Sequence, residues 1–151
     1  MLRQRAPLAD VLTLLANAGE TIAGGRCTCS ILVLDAHGLL RNGASPGLPP
    51  DYLHAIDGLR PDPRVGTCAA VAATGSIVIT PDFRADDKWA ELRHLPLALG
   101  FAGAWSLPIK SPQGEVLGTF GTYFRSRREP TEREIAAVRQ LAAVAAKALA
   151  E

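Results

Sequence analysis

Residues 101–124, FAGAWSLPIKSPQGEVLGTFGTYF, decide the architecture. One apolar run carries Trp105-Ser106-Leu107-Pro108-Ile109, and a second carries Gly118-Thr119-Phe120. Between them stands Ser111-Pro112-Gln113-Gly114, where proline pre-sets one backbone angle and glycine supplies a positive φ. Runs rich in β-branched and aromatic residues on either side of such a turn read as two antiparallel strands.

Working outward, Ser76 to Thr80 (SIVIT) reads as a central strand, and Thr67 to Ala73 as a short Ala-rich helix ended by Gly75. Residues 86–100 read as helical in part and broken by Pro96. Downstream, Thr131-Glu132-Arg133-Glu134 after Pro130 fits a capping box that opens a helix of about 20 residues, roughly 30 Å long. Upstream, Leu8, Val11, Leu12, Leu15, Ala18 and Ile22 recur at helical spacing after Pro7 and stop near Gly24-Gly25. Cys29 to Asp35 is an apolar strand, and Asp35-Ala36-His37-Gly38 turns it into a second strand over residues 39–44. Five of the 11 prolines fall in residues 45–64, a long connection with at most a short helix at 51–57. Long connections of this kind often line binding sites.

The order of elements implies an α+β fold in which an antiparallel sheet lies between helices. With 151 residues the chain fits one domain: an N-terminal helix over 1–25, sheet and pocket segments over 26–130, and a C-terminal helix over 131–151. A net charge of +1, from 16 basic and 15 acidic side chains, gives no general attraction to nucleic acid or to anionic membrane. The basic run Arg125, Arg127, Arg128 reads as a solvated strand end. No stretch approaches the apolar length of a membrane span. Cys27, Cys29 and Cys68 make an odd count; the N-terminus has Arg3 and Arg5 but no apolar signal core, so the expectation is a reducing cytoplasmic setting. Phosphate-cradling glycine loops with a following lysine and His-Glu-x-x-His pairs do not occur.

Four segments, in this order and spacing, carry a resemblance: Val65-Gly66-Thr67-Cys68, the apolar strand Ile77 to Asp82, Asp86-Asp87-Lys88-Trp89, and Ala104-Trp105-Ser106-Leu107-Pro108-Ile109. Together they resemble a GAF domain of the type attached to bacterial sensor histidine kinases and cyclic-dinucleotide cyclases, over roughly residues 29–151. The resemblance implies a GAF-like antiparallel sheet, with the N- and C-terminal helices on one face and a ligand-pocket side on the other. Ala69 stands where a second glycine is usual and Ala104 where a cysteine is common. The Asn-Lys…Phe…Asp-Glu signature of cyclic-nucleotide-binding relatives and the Cys-His pair of bilin-binding relatives are absent.

The implied role is a small-molecule-sensing or dimerising regulatory domain of a bacterial signal-transduction protein such as a two-component system, and not an enzyme. Candidate ligand contacts are Cys68, Asp82, Phe83, Trp89, Phe101, Trp105, Ser106 and Thr119. Ligand sites are largely apolar with a few polar groups, so the aromatics serve as pocket wall or as plain core. Cys68 opens a short helix whose free N–H groups favour a thiolate; the bland alternative is a small packing residue. Used chemically, it would make a small redox enzyme resembling GAF-fold methionine sulfoxide reductases, but no further cysteine follows it. Cys27 and Cys29 lack two further ligands at metal spacing, and no metal is expected. His94 is the candidate if the family's occasional haem were held, but no cofactor is assigned. The expected partners are an unidentified small molecule, an output kinase or cyclase domain, and a second copy through the terminal helices. The seam would be Ile135, Val138, Ala142, Ala145 and Leu149, flanked by Leu141, Val144 and Ala148, and matched on the first helix by Leu8, Leu12, Leu15 and Ile22. A structural dimerisation module with no ligand is the remaining alternative.

Overall fold

The computed structural model describes residues 7–23 and 27–150. Strands β1 (Cys27–Leu34), β2 (Leu40–Ala44), β3 (Val78–Thr80), β4 (Gly103–Lys110) and β5 (Val116–Phe124) form one antiparallel sheet in the order β2-β1-β5-β4-β3. Helices α1 (Leu8–Ile22), α2 (Pro50–Ile56), α3 (Thr67–Thr74), α4 (His94–Ala98) and α5 (Glu132–Ala150), with a single 3-10 turn at Asp87–Trp89, complete the α+β fold. Residues 1–6 and 24–26, which include Arg3, Arg5 and the Gly24-Gly25 helix stop, lie outside the described residues, as does Glu151.

The 101–124 hairpin forms as its turn chemistry requires. The Gly114 N–H donates to the Ser111 carbonyl at 2.9 Å, with Gly114 at φ +88°. The register pairs Trp105 with Thr122 and Leu107 with Phe120. At the first hairpin, the Asp35 carboxylate accepts from the N–H groups of His37 and Leu39 at 2.8 and 2.9 Å.

Strand alternation divides the sheet into two faces. Cys29, Ile31, Trp105, Leu107 and Phe120 face α1 and α5, where they pack with Leu12, Leu15, Val138, Ala142 and Ala145. The opposite face carries the shorter helices. The capping box holds at the start of α5: the Glu134 N–H donates to Thr131 Oγ1 at 3.1 Å, and the Thr131 N–H to Glu134 Oε1 at 2.9 Å.

Three expectations change. The strand expected to be central, at 76–80, is β3 at the sheet edge, pairing with β4 alone; a short continuous apolar run does not by itself distinguish a flanked strand from an edge strand covered by a loop. Pro96 does not break a helix but sits in the first turn of α4, where no intrahelical N–H is required. Most of the expected dimer seam faces inward: Val138 is 2% exposed, Ala142, Ala145, Leu12 and Leu15 are buried with it, and Ile135 and Leu149 pack against the same core, while Leu8 and Ile22 of that seam are exposed. The apolar side chains that do reach solvent include Leu14 (70% exposed) and Val144 (49% exposed).

Candidate functional site

On the pocket face the central strands present Leu32, Ser106, Thr119, Gly121 and Tyr123. Over them lies the start of α3. Gly66 precedes this helix at φ +65°, a conformation that side-chain-bearing residues rarely adopt, and its N–H donates to the Lys88 carbonyl at 2.7 Å. The chain is thereby turned so that Thr67 and Cys68 point to the sheet.

Thr67 is a junction. Its Oγ1 accepts the Trp89 indole N–H at 2.8 Å and lies 2.9 Å from Thr80 Oγ1, tying α3, the 3-10 turn and β3 together. Asp86 shapes that turn by accepting from the Lys88 N–H at 3.0 Å and pairing with its ammonium at 2.8 Å. Cys68 Sγ lies 3.6 Å from Ser106 Oγ and rests on Gly121, where an added Cβ would stand 3.1 Å from the sulfur. Burial pushes the Cys68 thiol above its ordinary value, and the hydrogen bond to Ser106 with the nearby Thr119 hydroxyl offsets this only in part. The expected helix-start stabilisation of a thiolate therefore loses to desolvation, and Cys68 is a neutral thiol. Thr119 Oγ1 is fully buried and has no hydrogen-bond partner.

A second group of side chains closes the cavity. Tyr52, on α2, reaches across to Tyr123 on β5, with phenol oxygens 2.8 Å apart and rings edge to face at 5.8 Å. Burial raises the pKa of both phenols, so both stay protonated. Phe83 packs on Trp89 at 4.5 Å between centroids, and Phe101 on Tyr123 at 5.3 Å. The cavity enclosed by α2, the α3 start, Trp89 and the sheet is almost wholly apolar, with a volume of about 20 Å³. That is room for roughly one water.

Of the residues expected to form the site, Cys68 and Trp89 line this cavity. Ser106 and Thr119 lie beside Cys68 on the sheet, and Phe83 and Phe101 belong to the surrounding aromatic cluster. Trp105 does not belong with them. It follows Ala104 and precedes Ser106 in one strand, so its ring goes through to the α1/α5 face, where its indole N–H is buried without a partner. Asp82 also lies apart, at an outer cleft, where it accepts from the Arg84 N–H at 3.0 Å and stands 3.6 Å from Arg127. His94 is exposed at the first residue of α4 and does not line the cavity, which removes it as a ligand there. Among the described residues no three metal-binding side chains converge. Sequence reasoning missed Thr67, Tyr52 and Tyr123. Tyr123 was accessible from parity, since it lies an even number of residues from Thr119.

A family model described as "GAF domain" matches residues 5–150. The chain is 36% identical over 145 residues to the methyl sulfide methyltransferase-associated sensor of Methanosarcina acetivorans, covering 95% of this chain and 14% of that protein. Among solved structures, a domain assigned to a two-component sensor histidine kinase protein of Sinorhizobium meliloti superposes with TM-score 0.79 at 20% identity, covering 97% of this chain and 92% of that one. A type II free methionine-R-sulfoxide reductase of Thermoplasma acidophilum superposes with TM-score 0.72 at 18% identity, covering 95% of each. At these identities the solved structures speak to the fold alone. Among the described residues no helix is long and apolar enough to cross a membrane.

Proposed function

The chain belongs to the GAF family, and from that premise we propose that it is a sensory domain which holds a small molecule between α2, α3 and the sheet and catalyses no reaction. The observation that carries this reading is the fully buried, unpartnered Thr119 Oγ1 beside Cys68 and Ser106, next to an apolar cavity. A buried hydroxyl without a partner costs about 1–3 kcal/mol. A polar ligand atom within reach of Thr119 removes that cost while the ligand's apolar body meets Ile56, Leu59 and Leu92. A ligand larger than water needs a movable wall, and α2 is that wall. It sits between Pro46-Pro49 and Pro61-Pro63, pinned by the Tyr52–Tyr123 bond. The name of the Methanosarcina relative supports a sensing role. The output we assign is a kinase or cyclase domain, and the compartment is the cytoplasm, in keeping with three free thiols.

The test is native mass spectrometry of protein purified from cells, followed by thermal shift against a metabolite panel. A retained or added ligand raises Tm by mass action, and Thr119→Val weakens it. No ligand and no shift across the panel favours the structural module instead, a reading that the small cavity volume supports. The redox alternative is opposed by geometry, because Cys27 and Cys29 pack on the α1/α5 side of the sheet and leave Cys68 no second thiol on its own face. A second copy docks, in this reading, on the outward side of α1 and α5, where Leu14 and Val144 are exposed.

A further inference from the structure

A second concavity, between the segment 81–84, the turn at Gly100 and the end of β5, plays no part in the reading above. We propose that it binds a small dianion, a phosphate- or dicarboxylate-bearing molecule, through Arg84, Arg125 and Arg127. The cleft has a volume of about 460 Å³ and is lined by these three arginines and a single carboxylate, Asp82. That volume is in the usual range for small-molecule sites.

The three guanidinium groups are unequally engaged. Arg125 is held in place, its Nη1 donating to the Leu99 carbonyl at 2.9 Å and its cation lying 4.7 Å over the Phe101 ring, which leaves most of its five donors free. Arg127 stands 3.6 Å from Asp82, an ion pair too long for a hydrogen bond, and the other Asp82 oxygen is taken by the Arg84 N–H. Among the described residues Arg84 engages only through its backbone, whose carbonyl accepts from Arg93 Nη1 at 2.9 Å. Arg93 also donates to the carbonyls of Asp86 and Trp89, bracing the segment that carries Arg84.

Three positive charges thus converge on one negative charge, and the excess of two is what a dianion neutralises. The acidic side chains beyond Asp82 do not supply it, because Asp86 is paired with Lys88 at 2.8 Å and faces a separate depression with Asp87. The patch does not extend into a groove for a polyanion. Arg128 turns away onto the Phe124 ring at 4.3 Å and pairs with Glu134, and the whole chain is near neutral at +1. Planar, bidentate guanidinium donors, one of them held by Leu99 and Phe101, suit a phosphoryl or carboxylate group.

The experiment is an NMR titration with inorganic phosphate and, separately, succinate, at an ionic strength of about 20 mM to limit screening. The expected result is saturable shifts of the Arg84, Gly100, Arg125 and Arg127 amides with at least one probe, weakened about tenfold by Arg84→Gln and by Arg127→Gln. Response to phosphate alone assigns a phosphoryl ligand, and response to succinate alone a dicarboxylate. Both arginines are exposed, and amide dispersion confirms that the variants fold. Absence of saturable shifts with either probe, or wild-type affinity in both variants, overturns the proposal.

Discussion

The phenol of Tyr52 hydrogen-bonds that of Tyr123 at 2.8 Å across the pocket face, joining residues 71 apart in sequence. This bond ties the middle of α2 to the sheet, while the Arg41–Asp57 pair at 2.7 Å and the Gly58–Leu40 backbone bond hold the chain just past α2 to β2, so it is one of the ties on the cavity wall. Tyr52→Phe strands the Tyr123 hydroxyl in an apolar interior and is expected to cost about 1–3 kcal/mol. Tyr52→Phe combined with Tyr123→Phe removes both polar groups and should cost clearly less than the two single changes added together. Urea denaturation of the four proteins measures this, and strict additivity would show that the bond couples nothing.

The second prediction concerns Cys68. With its thiol held above the ordinary value of 9.0 by burial, the folded chain keeps a proton that the unfolded chain releases. Its contribution to stability is therefore full below pH 9 and falls as the pH rises above it. Cys68→Ala should flatten part of the alkaline loss, the remainder coming from Cys29 and, at higher pH, from the Tyr52 and Tyr123 phenols, all of which are also raised above their ordinary values. Native Cys68 should also alkylate slowly with iodoacetamide at pH 7.5 and rapidly once unfolded. Fast labelling of the folded protein would return the redox reading to contention.

What was legible in the sequence follows from how local each cause is. The 101–124 hairpin, the Asp35–Gly38 turn and the Thr131–Glu134 cap are each specified by neighbouring residues, and each formed. The edge position of β3 depends on pairing with β4, which no local feature of SIVIT declares. The error over Trp105 was avoidable, since Trp105 and Ser106 are adjacent in one strand and cannot share a face. The buried part of the expected dimer seam could not be told apart in the sequence, because an apolar stripe looks the same whether its own sheet or a partner covers it, and for Val138, Ala142 and Ala145 its own sheet does.

The third prediction concerns the first hairpin. Asp35 is held at a pKa of about 2 by the Leu39 N–H first and then by Arg41, whose guanidinium also reaches Asp57 at 2.7 Å. Because the folded value is depressed from 3.8, the stabilisation is present above pH 4 and is lost as the pH falls through about 2. A carboxyl titration followed by NMR should find the Asp35 midpoint near 2. Asp35→Asn should lower stability above pH 4 and flatten its fall between about pH 4 and 2, with the variant and wild type converging below that range. An Asp35 midpoint near 4 would show that the turn contacts are not maintained in solution.

The final prediction separates core from partner on the terminal helices. Val138 is buried between α5 and the sheet, so Val138→Glu places an unpaired charge in the core and should unfold the protein or lower its stability by several kcal/mol. It therefore says nothing about association. Leu14 and Val144 each lie roughly 150° around their helices from the inward stripe, at 100° per residue, and are 70% and 49% exposed. Leu14→Glu and Val144→Glu should leave the melting temperature of the isolated fold nearly unchanged. If a second copy docks on this side, each should convert a dimer to a monomer in light scattering at high micromolar concentration, and the double variant should do so completely. A wild-type chain that is monomeric at that concentration, or variants that stay dimeric, would place the second copy elsewhere or remove it.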